Sequence, residues 1–426
     1  MIKRILRSKL LVSAGTYGAI NLINSAIPFL LLPILTRYLS PEDYGVVALF
    51  QILLGLTASV ISLNCDTAIR RQFYKQDQIK FPKYIGNCLL VLLANTFASG
   101  LLVLMIAEPI GTAINFPSTW LWTVVFCAST LSMTKMILSV WQVNVNVASY
   151  ARFKTSLMVL NIGLSCWFII SLQMDWQGRI LGQLVAFLLF AILSLSSLWR
   201  NGWLDLTFDG SYVRHLVRYG APLIPHTVGM LIIAATDRLL VSRLSGLSSV
   251  GVFTVGSEIG MVIGLLAHSF NYAWVPWLFA RLKENNPATK IAIVKFTYLH
   301  AIAILAAAGM LSLAANWILW IMVAPEFRDA AIYVPWIAFG YAFNGMYLMA
   351  CNYLYYSENT RLLACITVFV AVLNVVVSYA LIKANGPIGA AQGTMISFLA
   401  SFVLTAIFAN RVHAMPWLFF KPSKSN

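Results

Sequence analysis

Twelve apolar runs of 19–30 residues succeed one another along this chain, with only short polar stretches between them. They fall at about 10–36, 44–66, 84–107, 119–140, 155–173, 179–199, 218–244, 250–279, 296–323, 332–354, 362–383 and 388–410. About 20 apolar residues in a helix cross the hydrocarbon core of a bilayer. Within that core every backbone N–H and C=O must be satisfied internally, which leaves the helix as the conformation for each run. The pattern predicts an all-α polytopic membrane protein of about 12 transmembrane helices.

Composition leaves no room for a separate soluble domain. Hydrophobic residues make up 60% and charged residues 10% of the 426 positions, against about 25% charged in soluble domains. The mean hydropathy is +0.81. Thirteen Trp and seventeen Tyr suit aromatic belts at two membrane interfaces. The six cysteines form no C-x-x-C pair and read as small core hydrophobes. The basic N-terminal MIKRILRSK leads into an apolar run without a small-residue cleavage site, so it reads as an uncleaved first span.

A net charge of +15 would suggest nucleic acid in a soluble protein. Here its distribution points to topology instead. Of 29 Lys and Arg, 22 lie in segments on one side of the twelve runs, and Arg37, Arg179, Arg243, Arg328 and Lys383 lie on the other. Only Lys135 and Arg238 remain inside runs. The positive-inside rule puts the rich side, and both termini, in the cytoplasm. No nucleic-acid partner is expected.

The two halves resemble each other. Arg37, Gly45 and Val46 align with Arg243, Gly251 and Val252 at an offset of 206. Gly178, Gly182, Phe187, Leu188 and Arg200 align with Gly389, Gly393, Phe398, Leu399 and Arg411 at an offset of 211. Six spans per half give both halves the same orientation, a parallel repeat about an axis along the membrane normal. The expected architecture is two six-helix lobes, 1–206 and 207–426, around a central cavity that opens alternately to each face.

Charge at membrane depth is costly and usually faces a protein-lined cavity or a partner. Asp237 and Arg238 sit about 10 Å inside the outer end of the seventh run, and Glu258 lies at comparable depth in the eighth. These carboxylates are candidates for binding H⁺ or Na⁺, or for a structural salt bridge with Arg238. Asp66 and Arg70 are i,i+4 at the end of the second run. Arg70, Arg71 and Lys135 either snorkel to the interface or form a cationic mouth for a phosphate-bearing head group. Arg37 and Arg243 occupy equivalent positions on the outer side and offer a second anion site. His268 and His300 read as packing residues. Pro28, Pro33, Pro222 and Pro225 break the first span of each half, as suits helices that bend or line a cavity. No metal cluster, P-loop or hydrolase constellation is present in the sequence, so neither an enzyme nor direct ATP drive is expected, and no cofactor is required.

Four stretches resemble the Wzx-type flippases of O-antigen and capsule repeat units, within the multidrug/oligosaccharidyl-lipid/polysaccharide exporter superfamily. They are LTRYLSPEDYGVVALF (35–50), SLNCDTAIRRQFY (62–74), TDRLLVSRLSGLSSVGVFTVG (236–256) and FNYAWVPWLFARLKEN (270–285). In the second, Asn64-Cys65 replaces the family's Gly-Leu. The resemblance implies translocation of an undecaprenyl-pyrophosphate-linked oligosaccharide from the cytoplasmic to the outer leaflet of a bacterial inner membrane. It implies a cationic cavity, for which Arg37, Arg70, Arg71, Lys135, Arg238 and Arg243 are the candidates. It implies ion-gradient coupling, with Asp237 and Glu258 as candidates, and the bilayer and other polysaccharide assembly proteins as partners. The alternatives are a multidrug or cation antiporter of the same superfamily and, against the shortness of every outer loop, a membrane polysaccharide polymerase or ligase. A non-transporting scaffold would not need Asp237, Arg238 and Glu258 at depth.

Overall fold

A computed structural model describes residues 27–74, 79–284, 286–357 and 359–417. The described chain is helical, without strands. The N-terminal basic segment, the first part of the first span and the C-terminal Lys421 and Lys424 lie outside the described residues.

Contacts divide the chain into two compact units, Met1–Ser248 and Ser249–Asn426. The described helices of the first are α1 (Ile27–Tyr38), α2 (Pro41–Ser62), α3 (Cys65–Phe73), α4 (Phe81–Ile114), α5 (Leu121–Val143), α6 (Val147–Ile170), α7 (Asp175–Arg200), α8 (Gly210–Gly220) and α9 (Ile224–Ser245). Next comes α10 (Leu247–Gly260), which starts at the boundary. The second unit continues with α11 (Val262–Glu284), α12 (Pro287–Met322), α13 (Val334–Tyr356), α14 (Thr360–Asn385) and α15 (Ile388–Val412). Among the described residues, the second to the twelfth apolar runs fall on these helices, and the eighth divides at Met261 into α10 and α11.

Local chemistry sets the boundaries. At the start of α2, Ser40 accepts from the Asp43 N–H at 3.2 Å while the Asp43 carboxylate accepts from the Ser40 N–H at 3.1 Å. Pro41 fills the first turn, so the cap closes reciprocally. α2 ends where Leu63 and Asn64 take φ of 47° and 54°, and α3 leaves at that break. Pro222 and Pro225 mark the entry to the seventh span as a 3₁₀ turn, Ala221–Leu223, followed by α9.

Nine helical stretches among the described residues are long and apolar enough to cross a membrane. α13 falls outside that set because it carries five tyrosines and two asparagines. α13 has no need of an apolar exterior, since it packs against α11, α12 and α15. α4 and α12 show the opposite pattern. Met105 on α4 is 79% exposed and Leu313 on α12 is 84% exposed. Apolar faces of this extent belong in hydrocarbon.

Glycines set the closest helix contacts, and they do so at repeat-equivalent positions. A Cβ on Gly182 of α7 would stand 2.6 Å from the Ser165 nitrogen and 2.7 Å from its Cα on α6. A Cβ on Gly393 of α15 would stand 2.8 Å from the Ser378 Cα on α14 and closer still to its Oγ. The α6–α7 hairpin of the first unit and the α14–α15 hairpin of the second are therefore each closed by a glycine against a serine. In the second unit Gly256, Gly260 and Gly264 form an i, i+4, i+8 stripe that seats α10 and α11 against Tyr333, Ile337 and Tyr341.

Candidate functional site

The inner end of the first unit, the end that the charge bias assigns to the cytoplasm, gathers cations from three helices. Arg70 on α3 donates from Nη2 to Asp66 Oδ2 at 2.8 Å and to Thr67 Oγ1 at 3.0 Å. Its Nη1 donates to Ser139 Oγ on α5 at 3.1 Å. The i,i+4 pairing of Asp66 with Arg70 is thus formed, and it aims the guanidinium at α5. Three bonds leave Nε–H and one Nη1–H uncommitted among the described residues, and the side chain is 36% exposed.

Lys135 stands one turn before Ser139 on the same face of α5 and is exposed. Lys154 of α6, half-buried, lies near enough for the two ammonium charges to repel. Arg71 turns elsewhere. Its guanidinium lies over the Tyr219 ring of α8, 5.1 Å from the centroid.

α8 is docked by polar contacts to α3 and α4. His215 bonds Gln72 Nε2 at 2.8 Å and Tyr84 Oη at 3.1 Å, and the Lys80 N–H donates to Tyr212 Oη at 3.1 Å. Ahead of α8, Asn87 donates to the Thr207 carbonyl and accepts from the Asp209 N–H. Lys83 Nζ lies 3.0 Å from Asp209 Oδ2. Hydrogen bonds from the Ser211 side chain, then from Lys83 and the Ser211 N–H, hold the half-buried Asp209 carboxyl down at about 2. The Thr207 hydroxyl and N–H lower Asp205 in the same way.

The remaining charges of this unit lie farther along. α9 packs against α2. On it Asp237 is 8% exposed and Arg238 half-buried, and both are engaged in polar or electrostatic interactions. At the outer end Ser242 donates to the Ile114 carbonyl at 2.8 Å and Arg243 donates to the Ala113 carbonyl at 3.1 Å. Arg37 is exposed in the last turn of α1. Arg70 and Lys135 thus both address the Ser139 face of α5, Arg71 turns to the Tyr219 ring, and Arg243 turns to the Ala113 carbonyl.

Glu258, half-buried and engaged, lies in the second unit near the end of α10, two residues before Gly260. That unit also holds an apolar cavity of about 380 Å³ between α12, α13 and α15, walled by Met346, Met349, Phe402 and Trp417. No Asp, Glu, Lys or Arg lines it, which makes it unsuited to an anionic head group. His300 lines it, buried and stacked on Phe270 with ring centroids 4.2 Å apart. Among the described residues no cluster of His, Cys, Asp and Glu could hold a metal.

Two basic residues behave differently from their sequence positions. Lys154 reads as a connecting residue but stands two turns into α6, because Asn146 caps that helix by accepting from the Ser149 N–H. Arg179 reads as an outer loop charge, yet it is 8% exposed in α7 and donates to Asn161 Oδ1 and Ser165 Oγ, both at 2.8 Å. The apolar run of 155–173 signals the helix that holds Lys154. Nothing in the sequence signals that neutral oxygens would solvate Arg179.

Comparison with known proteins adds five findings. The profile of the family described as "Polysaccharide biosynthesis protein" matches residues 10–283, and that of the MatE family matches residues 222–380. A Haemophilus influenzae protein named for the Lsg locus is 24% identical over 364 residues, covering 83% of this chain and 87% of its own. Among solved structures, the lipid II flippase MurJ in an inward closed conformation superposes with a TM-score of 0.73 at 13% identity, covering 93% of this chain and 86% of that one. An inward-facing multidrug resistance MATE family transporter of the MOP superfamily superposes with a TM-score of 0.70 at 16% identity, covering 92% and 95%. These structural likenesses establish a shared helical fold.

Proposed function

We propose that this chain, which belongs to the polysaccharide biosynthesis protein family, is a flippase that turns undecaprenyl-pyrophosphate-linked oligosaccharide units from the cytoplasmic to the outer leaflet of the inner membrane. Sugars and pyrophosphate cannot cross hydrocarbon unaided, whereas a polyprenyl tail stays in lipid throughout. A flippase must therefore shelter the polar head only. The observation that carries the reading is the inner-end group of Arg70, Lys135 and Lys154, presented by three helices of one unit.

In this reading Arg70, aimed by Asp66 and Ser139, offers its uncommitted N–H groups to a phosphate oxygen while Lys135 and Lys154 add charge. Hydrogen bonds to charged groups contribute about 1.5–3 kcal/mol each, a factor of roughly 10 to 150. Arg238, then Arg37 and Arg243, receive the head farther along. Asp237 and Glu258 couple the cycle to H⁺ or Na⁺. Arg71, engaged by Tyr219, contributes from the mouth.

A strain deleted for this gene tests the proposal, with lipid-linked units assayed in each leaflet. Cytoplasmic-side accumulation, rescued by wild type and not by Arg70→Ala, Asp237→Asn or Arg238→Ala at matched expression, is the expected result. The MatE match over 222–380 supports a second reading, a multidrug antiporter. Unchanged polysaccharide in the deletion strain, with altered sensitivity to cationic drugs, would select it.

A further inference from the structure

The outer end of the first unit carries a cleft of about 390 Å³ that the groups above do not use. Its walls come from the start of α2, the segment after α4 and the start of α7. Ser40, Glu42, Asp43, Asn115, Ser118 and Trp176 face it, and none of its lining residues is basic.

We propose that this cleft is a saccharide subsite, which holds one uncharged sugar ring of the cargo as it reaches the outer leaflet. The inference rests on the flippase reading and adds to it a second recognition point, specific for the glycan and not for the pyrophosphate. Cavities of this size suit small ligands. A pyranose offers two chemistries, an apolar C–H face and a rim of hydroxyls, and the cleft offers a match for each.

The face meets an indole. Trp176 is half-buried, and its ring is held edge-on to Trp120 with centroids 4.9 Å apart. An aromatic wall fixed in this way gives apolar contact at little cost in rotamer freedom. The rim meets oxygen acceptors. Asp43 is consumed by the α2 cap, accepting from the Ser40 N–H and hydroxyl. Glu42, beside it, is exposed and makes no hydrogen bond or ion pair among the described residues. Asn115 donates its amide N–H to the Ser242 carbonyl at 2.9 Å, which leaves Oδ1 as an acceptor.

Charge decides the class of sugar. Hydroxyl groups donating to a carboxylate make short charge-assisted bonds. A uronate or phosphate in the same place would face Glu42 and Asp43 with no cation among the lining residues. The cleft therefore takes a neutral sugar.

The test titrates the purified full-length chain with the methyl glycosides of glucose, galactose and N-acetylglucosamine, and with glucuronate, by saturation-transfer NMR. At least one neutral glycoside binds with a millimolar Kd. Glu42→Gln weakens it by about 5-fold, Trp176→Leu by about 10-fold, and Trp176→Phe restores most of the loss. Glucuronate binds at least 10-fold more weakly than the best neutral glycoside, and Glu42→Gln narrows the gap. Glu42 is exposed and unbonded, so its substitution leaves folding intact. No neutral glycoside binding, or binding indifferent to both substitutions, overturns the proposal. So does calcium binding that is lost in Glu42→Gln without any sugar binding, which would make the cleft a cation site. A wild-type protein that flips lipid-linked units yet binds no glycoside here defeats the subsite alone. A protein that binds glycosides here yet flips nothing defeats the flippase reading alone.

Discussion

Gly182→Ala is the substitution whose effect follows most directly from the packing. The added methyl would stand 2.6–2.8 Å from the nitrogen, Cα and Oγ of Ser165. Two of those three atoms belong to the α6 backbone, so no rotamer change relieves the overlap. α6 and α7 must separate by about 0.6–1 Å, and overpacking of this kind costs about 1–3 kcal/mol. A matched control lies on the same hairpin. Gly163 of α6 has nothing within 4 Å of its would-be Cβ, so Gly163→Ala is neutral or gains up to about 1 kcal/mol of helix propensity. The two substitutions add the same methyl to the same pair of helices with opposite expected signs. Thermal unfolding of the purified protein in one detergent, at one scan rate, measures both. A lower midpoint for Gly182→Ala, beside an unchanged or higher one for Gly163→Ala, is expected. Equal midpoints for both would refute the close crossing of α6 on α7.

Three further outcomes follow from the site and the caps. Arg70→Ala and Asp66→Asn remove the same partly exposed ion pair, worth up to about 1 kcal/mol, but only Arg70→Ala removes the phosphate donor. Transport in cells therefore falls at least 10-fold for Arg70→Ala and little for Asp66→Asn, and equal losses would reduce the pair to a structural role. Asp209 is held at about 2, below its ordinary 3.8, so its contribution to the link before α8 is complete above about pH 4 and is lost as pH falls toward 2. Hydrogen exchange at 203–211 measured from pH 5 to pH 2.5 should show that link loosening only below pH 4, and Asp209→Asn should abolish the dependence. Ser40→Ala removes the α2 cap at a cost of about 0.5–2 kcal/mol, read as faster amide exchange in the first turn of α2 with the rest of the helix unchanged.

The sequence made the helices legible because hydrocarbon imposes one rule on every span: apolar length. It made the repeat legible because glycine is retained where backbones touch, and the alignment of Gly182 with Gly393 marks the same crossing in each unit, against Ser165 and Ser378. The Asp66–Arg70 pair was legible from spacing alone, since both residues sit on one short helix. What depended on a second helix was not. Ser139 as the acceptor that turns Arg70 toward α5, Tyr219 as the ring beneath Arg71, and Asn161 with Ser165 around Arg179 are all tertiary partners, distant in sequence. α13 shows the converse limit. Its tyrosines and asparagines lower its hydropathy because its environment is protein instead of lipid, so hydropathy alone understates it.

The central claim is that the chain moves a lipid-linked glycan between leaflets. The most direct measurement reconstitutes the purified protein in liposomes that contain undecaprenyl-pyrophosphate-linked oligosaccharide, and follows the lectin-accessible fraction over time under an imposed H⁺ or Na⁺ gradient. The account predicts that the inner-leaflet pool becomes accessible with wild type, faster under one of the two gradients, and at least 10-fold more slowly with Arg70→Ala. Accessibility that stays at the outer-leaflet fraction with wild type under every gradient, while the same vesicles exchange a cationic drug, would contradict it.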